Sequence, residues 1–157
     1  MRYPELMIQI QDVVIGLMTP LHLSQVLEIE RASYPDPWTQ ATFMRELNAS
    51  KIAVTIVAHL DDTVCGYIIS WMILEEVHIG NVAVASEYRR HGIGRMMMEW
   101  LLEEGIQRGC TFSTLEVRRS NQAAQLMYQN LGFRAVGCRK TYYSEPVEDA
   151  IVMLKSL

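Results

Sequence analysis

Three β-rich segments in succession, followed by a long amphipathic helix, constrain the fold of this chain most strongly. The segments cover residues 52–60, 64–74 and 76–84, and the helical pattern covers residues 94–108. Consecutive β segments joined by short turns predict hairpins, so the sheet begins antiparallel. The helix then predicts a crossover to the next strand. Hairpins and crossovers in one chain indicate a mixed sheet.

Local signals place the remaining elements. Strands are expected over residues 12–18 and 114–117, and closing strands over residues 133–136 and 150–154. One helix is expected to start at Thr19-Pro20, and a second is capped by Thr39 and runs to about Asn48. A further helix covers residues 121–131 and is closed by Gly132. The order β-α-α-β-β-β-α-β-α-β-β predicts an α/β or α+β fold, with a mixed, mostly antiparallel sheet flanked by helices. The 157 residues are expected to form one domain, covering residues 1–157.

Composition argues against several classes of partner. The formal net charge is -4, so phosphate backbones and anionic lipid are unfavourable partners, and no nucleic acid or membrane partner is expected. No apolar run approaches the roughly 20 residues that span a bilayer. The N-terminal residues 1–5 lack the pattern of a signal peptide. These features predict a cytoplasmic protein.

A basic loop lies between the third β segment and the long helix. Arg89, Arg90, His91 and Arg95 concentrate positive charge around the sequence Gly92-Ile93-Gly94. Free N–H groups at a helix N-terminus bind anions, and glycine lets a phosphate approach the backbone. The spacing alone also fits an ordinary turn with solvated arginines. Since neither a Rossmann nor a Walker glycine pattern is present, the loop does not favour NAD or ATP.

The loop and the residues after it resemble a known family. Arg89-x-x-Gly92-x-Gly94 resembles the acetyl-CoA signature of the GCN5-related N-acetyltransferase (GNAT) superfamily, and it stands between a strand and a helix as that family requires. Downstream, the chain is similar to the RimI-like branch, whose members acetylate the N-terminal alanine of a small-subunit ribosomal protein. That similarity is carried by Leu115, Glu116, Val117, Arg118, Ser120, Asn121, Ala123, Ala124, Tyr128, Leu131, Gly132, Phe133, Tyr142, Tyr143, Glu148, Asp149 and Ala150.

The resemblance implies a GNAT fold and an acetyl-CoA site, with no metal. The backbone of Val82, Ala83 and Val84 would hold the acyl-pantetheine end. The loop would hold the pyrophosphate, through Arg89, Arg90, His91, Gly92, Ile93, Gly94 and Arg95. Asn121 would contact the cofactor further along, although its position also fits a helix N-cap.

The resemblance also implies two proton-transfer residues. Strand alternation places Glu116 on the face opposite Leu115 and Val117, where pattern alone favours a simple pair with Arg118. By resemblance, Glu116 is the general base. Tyr128 falls on a helical stripe where a core tyrosine fits equally well. By resemblance, it is the general acid that protonates the thiolate of coenzyme A.

Acceptor-binding residues are expected on two segments. Tyr34 lies in the Tyr34-Pro-Asp-Pro-Trp38 loop, which the resemblance makes one wall of a peptide groove. Tyr142 and Tyr143 would hold the peptide from the other side, and they also fit ordinary strand aromatics. Glu75, Glu76 and His78 are interpreted as surface polar groups, because three residues of one strand without a distant fourth ligand do not make a metal site.

Three functions remain open at this point. The resemblance favours an acetyltransferase acting on a protein N-terminus, with a ribosomal protein as the partner. A second possibility keeps the fold and changes the acceptor to lysine side chains or small-molecule amines. A third is a non-catalytic sensor that binds acyl-CoA through the loop.

Overall fold

The computed structural model describes residues 10–157, apart from the side chain of Ala49, so the segment that bears on a signal peptide lies outside the described residues. The strands are β1 (Val14–Leu17), β2 (Ala53–Leu60), β3 (Thr63–Ile73), β4 (Glu76–Val84), β5 (Phe112–Arg118), β6 (Arg134–Ser144) and β7 (Val147–Ser156). The α-helices are α1 (Leu23–Ser33), α2 (Gln40–Ala49), α3 (Ile93–Gln107) and α4 (Gln122–Asn130).

The seven strands form one sheet in the order β1-β2-β3-β4-β5-β7-β6. Neighbouring strands are antiparallel except β4 and β5, which are parallel and are connected through α3. The predicted mixed, mostly antiparallel sheet with flanking helices is therefore confirmed. The crossover through α3 creates the one parallel pair among the described strands, because a hairpin cannot join parallel strands.

The parallel pair comes apart partway along its length. The β4–β5 register runs from Glu76 opposite Phe112 to Ile79 opposite Leu115, whereas β4 continues to Val84 and β5 to Arg118. Past Ile79, β4 therefore has β3 on one side and an unpaired edge on the other. This open edge of β4 faces the gap between the two diverging strands, and it positions the site described below.

A β-bulge falls where the strands begin to diverge. In the β3–β4 register Ile69 lies opposite Asn81 and Ser70 opposite Ile79, which leaves Gly80 as the extra residue. A side chain at this position has no space, because a Cβ would lie 2.5 Å from the Trp71 ring. Bulges bend a strand and increase its twist, which is consistent with the divergence that starts here.

Helices cover both faces of the sheet. Tyr67 and Ile69 of β3 pack in one buried cluster with residues of α1 and α2, and Ile68 between them packs in a second cluster with α3 and α4. This alternation is the two-residue period of a strand buried on both faces. The described helices include none that is long and apolar enough to cross a membrane.

The order of the elements agrees with the prediction, and the caps are largely as expected. The Thr39 hydroxyl accepts a hydrogen bond from the backbone N–H of Thr42 at 3.2 Å, so it caps α2. At Thr19 the chain first makes a short 3₁₀ turn, Pro20–His22, before α1 begins. The closing strands are much longer than residues 133–136 and 150–154, because nearly all of β6 is exposed and lacks the apolar alternation that predicts a strand.

Candidate active site

The basic loop forms the N-terminus of α3. Gly92 is the N-cap residue with φ of +79°, a left-handed conformation that side chains disfavour and glycine accepts. The backbone N–H groups of the first helical turn have no partners within the helix. They supply partial positive charge at the end of β4, as the sequence predicts for an anion site.

The basic side chains of this loop have different surroundings. The Nε of Arg89 donates to the backbone oxygen of Val84 at 2.9 Å, and Nδ1 of His91 lies 2.8 Å from the backbone oxygen of Arg89. Arg95 pairs with Glu99 one turn along α3, at 2.8 Å. Arg90 is exposed and has a φ of +65°. Arg89 and His91 thus fix the loop conformation, while Arg90 extends the positive surface.

Backbone groups of β4 point into the gap at alternate residues. The oxygen of Val82 accepts a hydrogen bond from the Tyr34 hydroxyl at 2.9 Å, and that of Val84 accepts from Arg89. The N–H of Ala85 instead donates to Cys65 of β3 at 2.8 Å. Strand alternation therefore points the backbone N–H groups of Val82 and Val84 toward the open edge, whereas the N–H group of Ala83 points toward β3.

A cavity of about 620 Å³ opens beside this edge. It brings together segments that are far apart in sequence: the end of α1 and the loop after it, β3, β4, β5, the start of α4, and the β6–β7 hairpin. The residues that line it are Glu30, Ser33, Tyr34, Pro35, Asp36, Trp38, Trp71, His78, Gly80, Asn81, Val82, Glu116, Val117, Arg118, Asn121, Tyr128, Tyr142, Tyr143, Ser144 and Glu145.

Glu116 lies on the cavity wall, as strand alternation predicts. Leu115 and Val117 are buried on the opposite face of β5. One carboxylate oxygen, Oε2, lies 2.9 Å from Nε2 of His78, and the other, Oε1, lies 3.5 Å from the guanidinium of Arg139. The expectation of a simple Glu116–Arg118 pair is wrong.

These neighbours set the charge of the pair. The hydrogen bond with His78 lowers the pKa of Glu116 against the opposing effect of burial, and His78 and Arg139 lower it further by charge. The same hydrogen bond raises the pKa of His78, with burial opposing. Both shifts favour the ionised carboxylate and the protonated imidazole. The interpretation of His78 as a surface polar group is wrong, because its ring lines the cavity.

Tyr128 on α4 is buried, and its ring packs edge-on against Phe133 with 6.0 Å between centroids. Burial raises the pKa of its hydroxyl, with the nearby Tyr143 adding to the effect. Within residues 10–157 no group hydrogen-bonds this hydroxyl, although Tyr128 lines the cavity. The ring of Tyr128 thus packs as a core tyrosine. Its hydroxyl lines the cavity and stays protonated at neutral pH.

Tyr142 and Tyr143 occupy the outer end of the cavity. Their rings meet edge-on at 5.0 Å, and the guanidinium of Arg118 lies 4.1 Å from the centroid of the Tyr143 ring. Arg118 also donates to the backbone oxygens of Glu145 and Pro146 and pairs with Glu148. Arg118 therefore braces the β6–β7 hairpin behind the tyrosine pair.

Comparison with known proteins decides the family. Residues 23–133 match the model of the Acetyltransferase (GNAT) family. The chain belongs to the GNAT acetyltransferase family. The [ribosomal protein bS18]-alanine N-acetyltransferase of Salmonella typhimurium is 33% identical over 141 residues, which cover 88% of this chain and 94% of that protein.

Two solved structures share the GNAT fold. The ribosomal-protein-S18-alanine N-acetyltransferase from Escherichia coli superposes with a TM-score of 0.84 at 30% identity, covering 92% of this chain and 93% of that one. NAA60 of Arabidopsis thaliana, in complex with acetyl-CoA, gives a TM-score of 0.84 at 17% identity, covering 92% and 99%. At that lower identity, the second likeness shows the fold alone.

Asn121, the remaining residue that the GNAT resemblance assigns to the cofactor, is the N-cap of α4. Its side-chain oxygen accepts from the N–H of Ala124 at 3.2 Å, which confirms the N-cap interpretation. The residue also lines the cavity, and a cofactor contact stays a prediction. In the described part of the chain, His, Cys, Asp and Glu side chains form no group of three suited to a metal ion.

Glu30 is a cavity residue that sequence reasoning missed. It is fully buried, at 0% exposure, and it accepts hydrogen bonds from the Tyr67 hydroxyl, from the backbone N–H of Trp38 at 3.0 Å and from the Asn81 amide at 3.3 Å. It therefore joins α1, the loop after it, β3 and β4. A signal was present, because Glu30 follows Leu27 by three residues and so falls on the buried stripe of α1.

Proposed function

We propose that this GNAT enzyme transfers the acetyl group of acetyl-CoA to the α-amine of a protein N-terminus, with an N-terminal alanine of ribosomal protein bS18 as the acceptor. The observation that carries the proposal is the cavity at the open edge of β4, where Glu116 and the Tyr128 hydroxyl lie on the walls. The similarity to bacterial [ribosomal protein bS18]-alanine N-acetyltransferases supports the choice of acceptor.

Acetyl-CoA is assigned to the open edge of β4 and the N-terminus of α3. The N–H groups of Val82 and Val84 suit the carbonyl groups of an acyl-pantetheine chain, because none of the described strands pairs with this edge past Ile79. The loop from Arg89 to Arg95 suits the pyrophosphate, since it combines helix N–H groups with exposed positive charge. NAA60, which has the same fold, was solved in complex with acetyl-CoA, and this supports acetyl-CoA as the co-substrate.

The acceptor amine is assigned to the other half of the cavity. Aromatic side chains line this half: Tyr34 and Trp38 of the loop after α1, Trp71 of β3, and Tyr142 and Tyr143 of β6. An extended peptide fits such walls, because aromatic rings bury large areas and still leave polar groups to hydrogen-bond a backbone.

The chemistry of the site suits an α-amine. An amine must be neutral to attack a thioester, and at pH 7 about one α-amine in ten is neutral, against about one lysine amine in 2,500. The hydrogen-bonded pair of Glu116 and His78 removes the proton from the attacking nitrogen, directly or through a water molecule. A carboxylate whose pKa is held low is a weak base, and it suits an amine that is already partly neutral.

Tyr128 supplies the second proton transfer. The departing thiolate of coenzyme A needs a proton, and a hydroxyl whose pKa burial keeps high remains protonated at neutral pH. With no hydrogen-bond partner among the described residues, that hydroxyl is available to the sulfur.

Thiol release from acetyl-CoA by the purified protein tests the proposal. The acceptor panel contains a peptide with N-terminal alanine, the same peptide with its α-amine blocked and one internal lysine, and a small polyamine. We expect release with the first peptide, and a loss of kcat of about 10²-fold or more in Glu116→Gln and in Tyr128→Phe. Cofactor affinity should change little in both variants. Tight binding without turnover would instead identify a sensor.

A further inference from the structure

His78 and Glu116 meet at the point where β4 and β5 separate. The parallel register places His78 opposite Thr114 and ends one residue later, at Ile79 and Leu115. Glu116 follows Thr114 by two residues and so lies on the same face of β5. The 2.9 Å hydrogen bond between Nε2 of His78 and Oε2 of Glu116 therefore joins β4 to β5 beside the last paired residues, Ile79 and Leu115.

The two members of this pair differ in their access to solvent. The side chain of Glu116 is 8% exposed, whereas that of His78 is 34% exposed. Nε2 is committed to Glu116, and no group within the described residues hydrogen-bonds Nδ1. The carboxylate is thus enclosed between His78 and Arg139, while the second imidazole nitrogen remains open to water in or around the cavity.

Charged residues of three strands surround His78, and an aromatic ring of a fourth strand packs beside it. Glu116 on β5 raises the pKa of the imidazole, mainly through the hydrogen bond, and Glu76 on β4 raises it further. Burial and Arg139 on β6 oppose these effects. Trp71 on β3 packs beside the ring, with 5.7 Å between centroids. The net result places the imidazole closer in basicity to an α-amine than the carboxylate is.

We propose that His78 is the final acceptor of the proton that the attacking amine loses, and that Glu116 acts by holding and charging the imidazole. This inference rests on the proposed acetyl transfer. The reacting form has Glu116 ionised and His78 neutral, with its proton on Nε2, and this form is populated as the pH rises through the raised pKa of His78.

Each atom and charge is accounted for in this step. The amine nitrogen forms its bond to the acetyl carbon, and its proton moves through a cavity water to Nδ1 of His78. Glu116 stays ionised and stabilises the imidazolium through the retained Nε2–H bond. The carbon–sulfur bond of the thioester breaks and the departing thiolate takes the proton of Tyr128. His78 then releases its proton to solvent, and the Tyr128 phenolate takes one back from solvent. The arrangement follows the logic by which a buried carboxylate orients a histidine base.

His78→Gln is the variant that separates this role from a structural one. The amide nitrogen of glutamine takes the place of Nε2 and keeps the N–H donor to Glu116, yet it cannot accept a proton at neutral pH. We expect kcat with the N-terminal alanine peptide to fall about 10²-fold. We also expect the acid limb of the wild-type kcat–pH profile, which reports the imidazole, to disappear, while the affinity for acetyl-CoA is retained.

Two further measurements support or overturn the inference. Added imidazole should restore part of the activity of His78→Ala, because the lost base is partly exposed. In the wild-type protein, nitrogen NMR should show His78 carrying its proton on Nε2 at high pH and titrating at Nδ1. The inference is overturned if His78→Gln keeps wild-type kcat and pH profile, or if Nδ1 of His78 does not titrate. If the wild-type protein acetylates no amine, the proposed function itself fails.

Discussion

Gly80 lies against the indole of Trp71, and a methyl group added there has no room. The Cβ of Gly80→Ala would lie 2.5 Å from Cζ3 and 2.7 Å from Cη2 of that ring. Carbon atoms pack at about 3.5 Å or more, so the ring must retreat by about 1 Å. Its Nε1 donates to Glu46 at 3.1 Å, and the Trp38 ring is 6.3 Å away. The ring therefore cannot move without loosening these contacts.

The expected cost of Gly80→Ala is about 1–3 kcal/mol in the free energy of unfolding, the usual range for overpacking. Trp71 lines the acceptor half of the cavity, so its displacement should also raise KM for the peptide about tenfold, which corresponds to about 1.4 kcal/mol. The affinity for acetyl-CoA should stay within about twofold of the wild-type value, because Trp71 lies in the cavity and not in the loop at the start of α3. Urea denaturation and steady-state kinetics measure these quantities.

Two variants control this prediction. Gly16→Ala adds the same methyl group in β1, where no described residue other than the chain neighbours lies within 4 Å of it, and it should leave both KM and stability near wild type. Trp71→Phe carries a smaller ring, and combined with Gly80→Ala it should recover part of the lost stability. If Gly80→Ala kept wild-type stability and KM, or if the smaller ring gave no recovery, the role assigned to this contact would be refuted.

Three further predictions concern the loop, the hairpin and the ion pair. Gly92→Ala should weaken acetyl-CoA binding in calorimetry and cost about 1–2 kcal/mol of stability, because alanine is strained at a φ of +79°. Arg118→Ala should raise KM for the peptide more than for acetyl-CoA, since Arg118 braces Tyr143. The raised pKa of His78 stabilises the fold fully below about pH 6.5, and that stability is lost as the pH rises through the folded-state pKa. The difference in urea midpoint between wild type and His78→Gln should therefore shrink as the pH is raised from about 6 through the folded-state pKa of His78.

Local patterns in the sequence predict much of the fold. The alternation of Leu115, Glu116 and Val117 correctly assigns the faces of β5, because a two-residue period is fixed by strand geometry alone. The N-caps Thr39 and Asn121 are likewise local features, since each cap hydrogen bond joins residues three apart. Features of this kind need no knowledge of which strands are neighbours.

The partners within the site could not be predicted in the same way. Glu116 bonds His78, which is 38 residues earlier, and Arg118 pairs with Glu148, 30 residues later. Both contacts follow from the order and register of β4, β5 and β7, which sequence spacing does not determine. Glu30 could not be predicted for a related reason. A carboxylate on a helix is ordinarily exposed, and the burial of Glu30 depends on hydrogen-bond donors from Tyr67 on β3 and Asn81 on β4.

Acetyl transfer to an α-amine, in preference to a lysine amine, can be tested with one peptide. The peptide begins with a free alanine and carries one internal lysine, so the two amines compete for the same enzyme. After incubation with acetyl-CoA, mass spectrometry of the fragments locates the acetyl group. We expect acetylation of the alanine nitrogen by the wild-type protein and its loss in Glu116→Gln. Acetyl groups found on the lysine instead, or on neither amine, would contradict it.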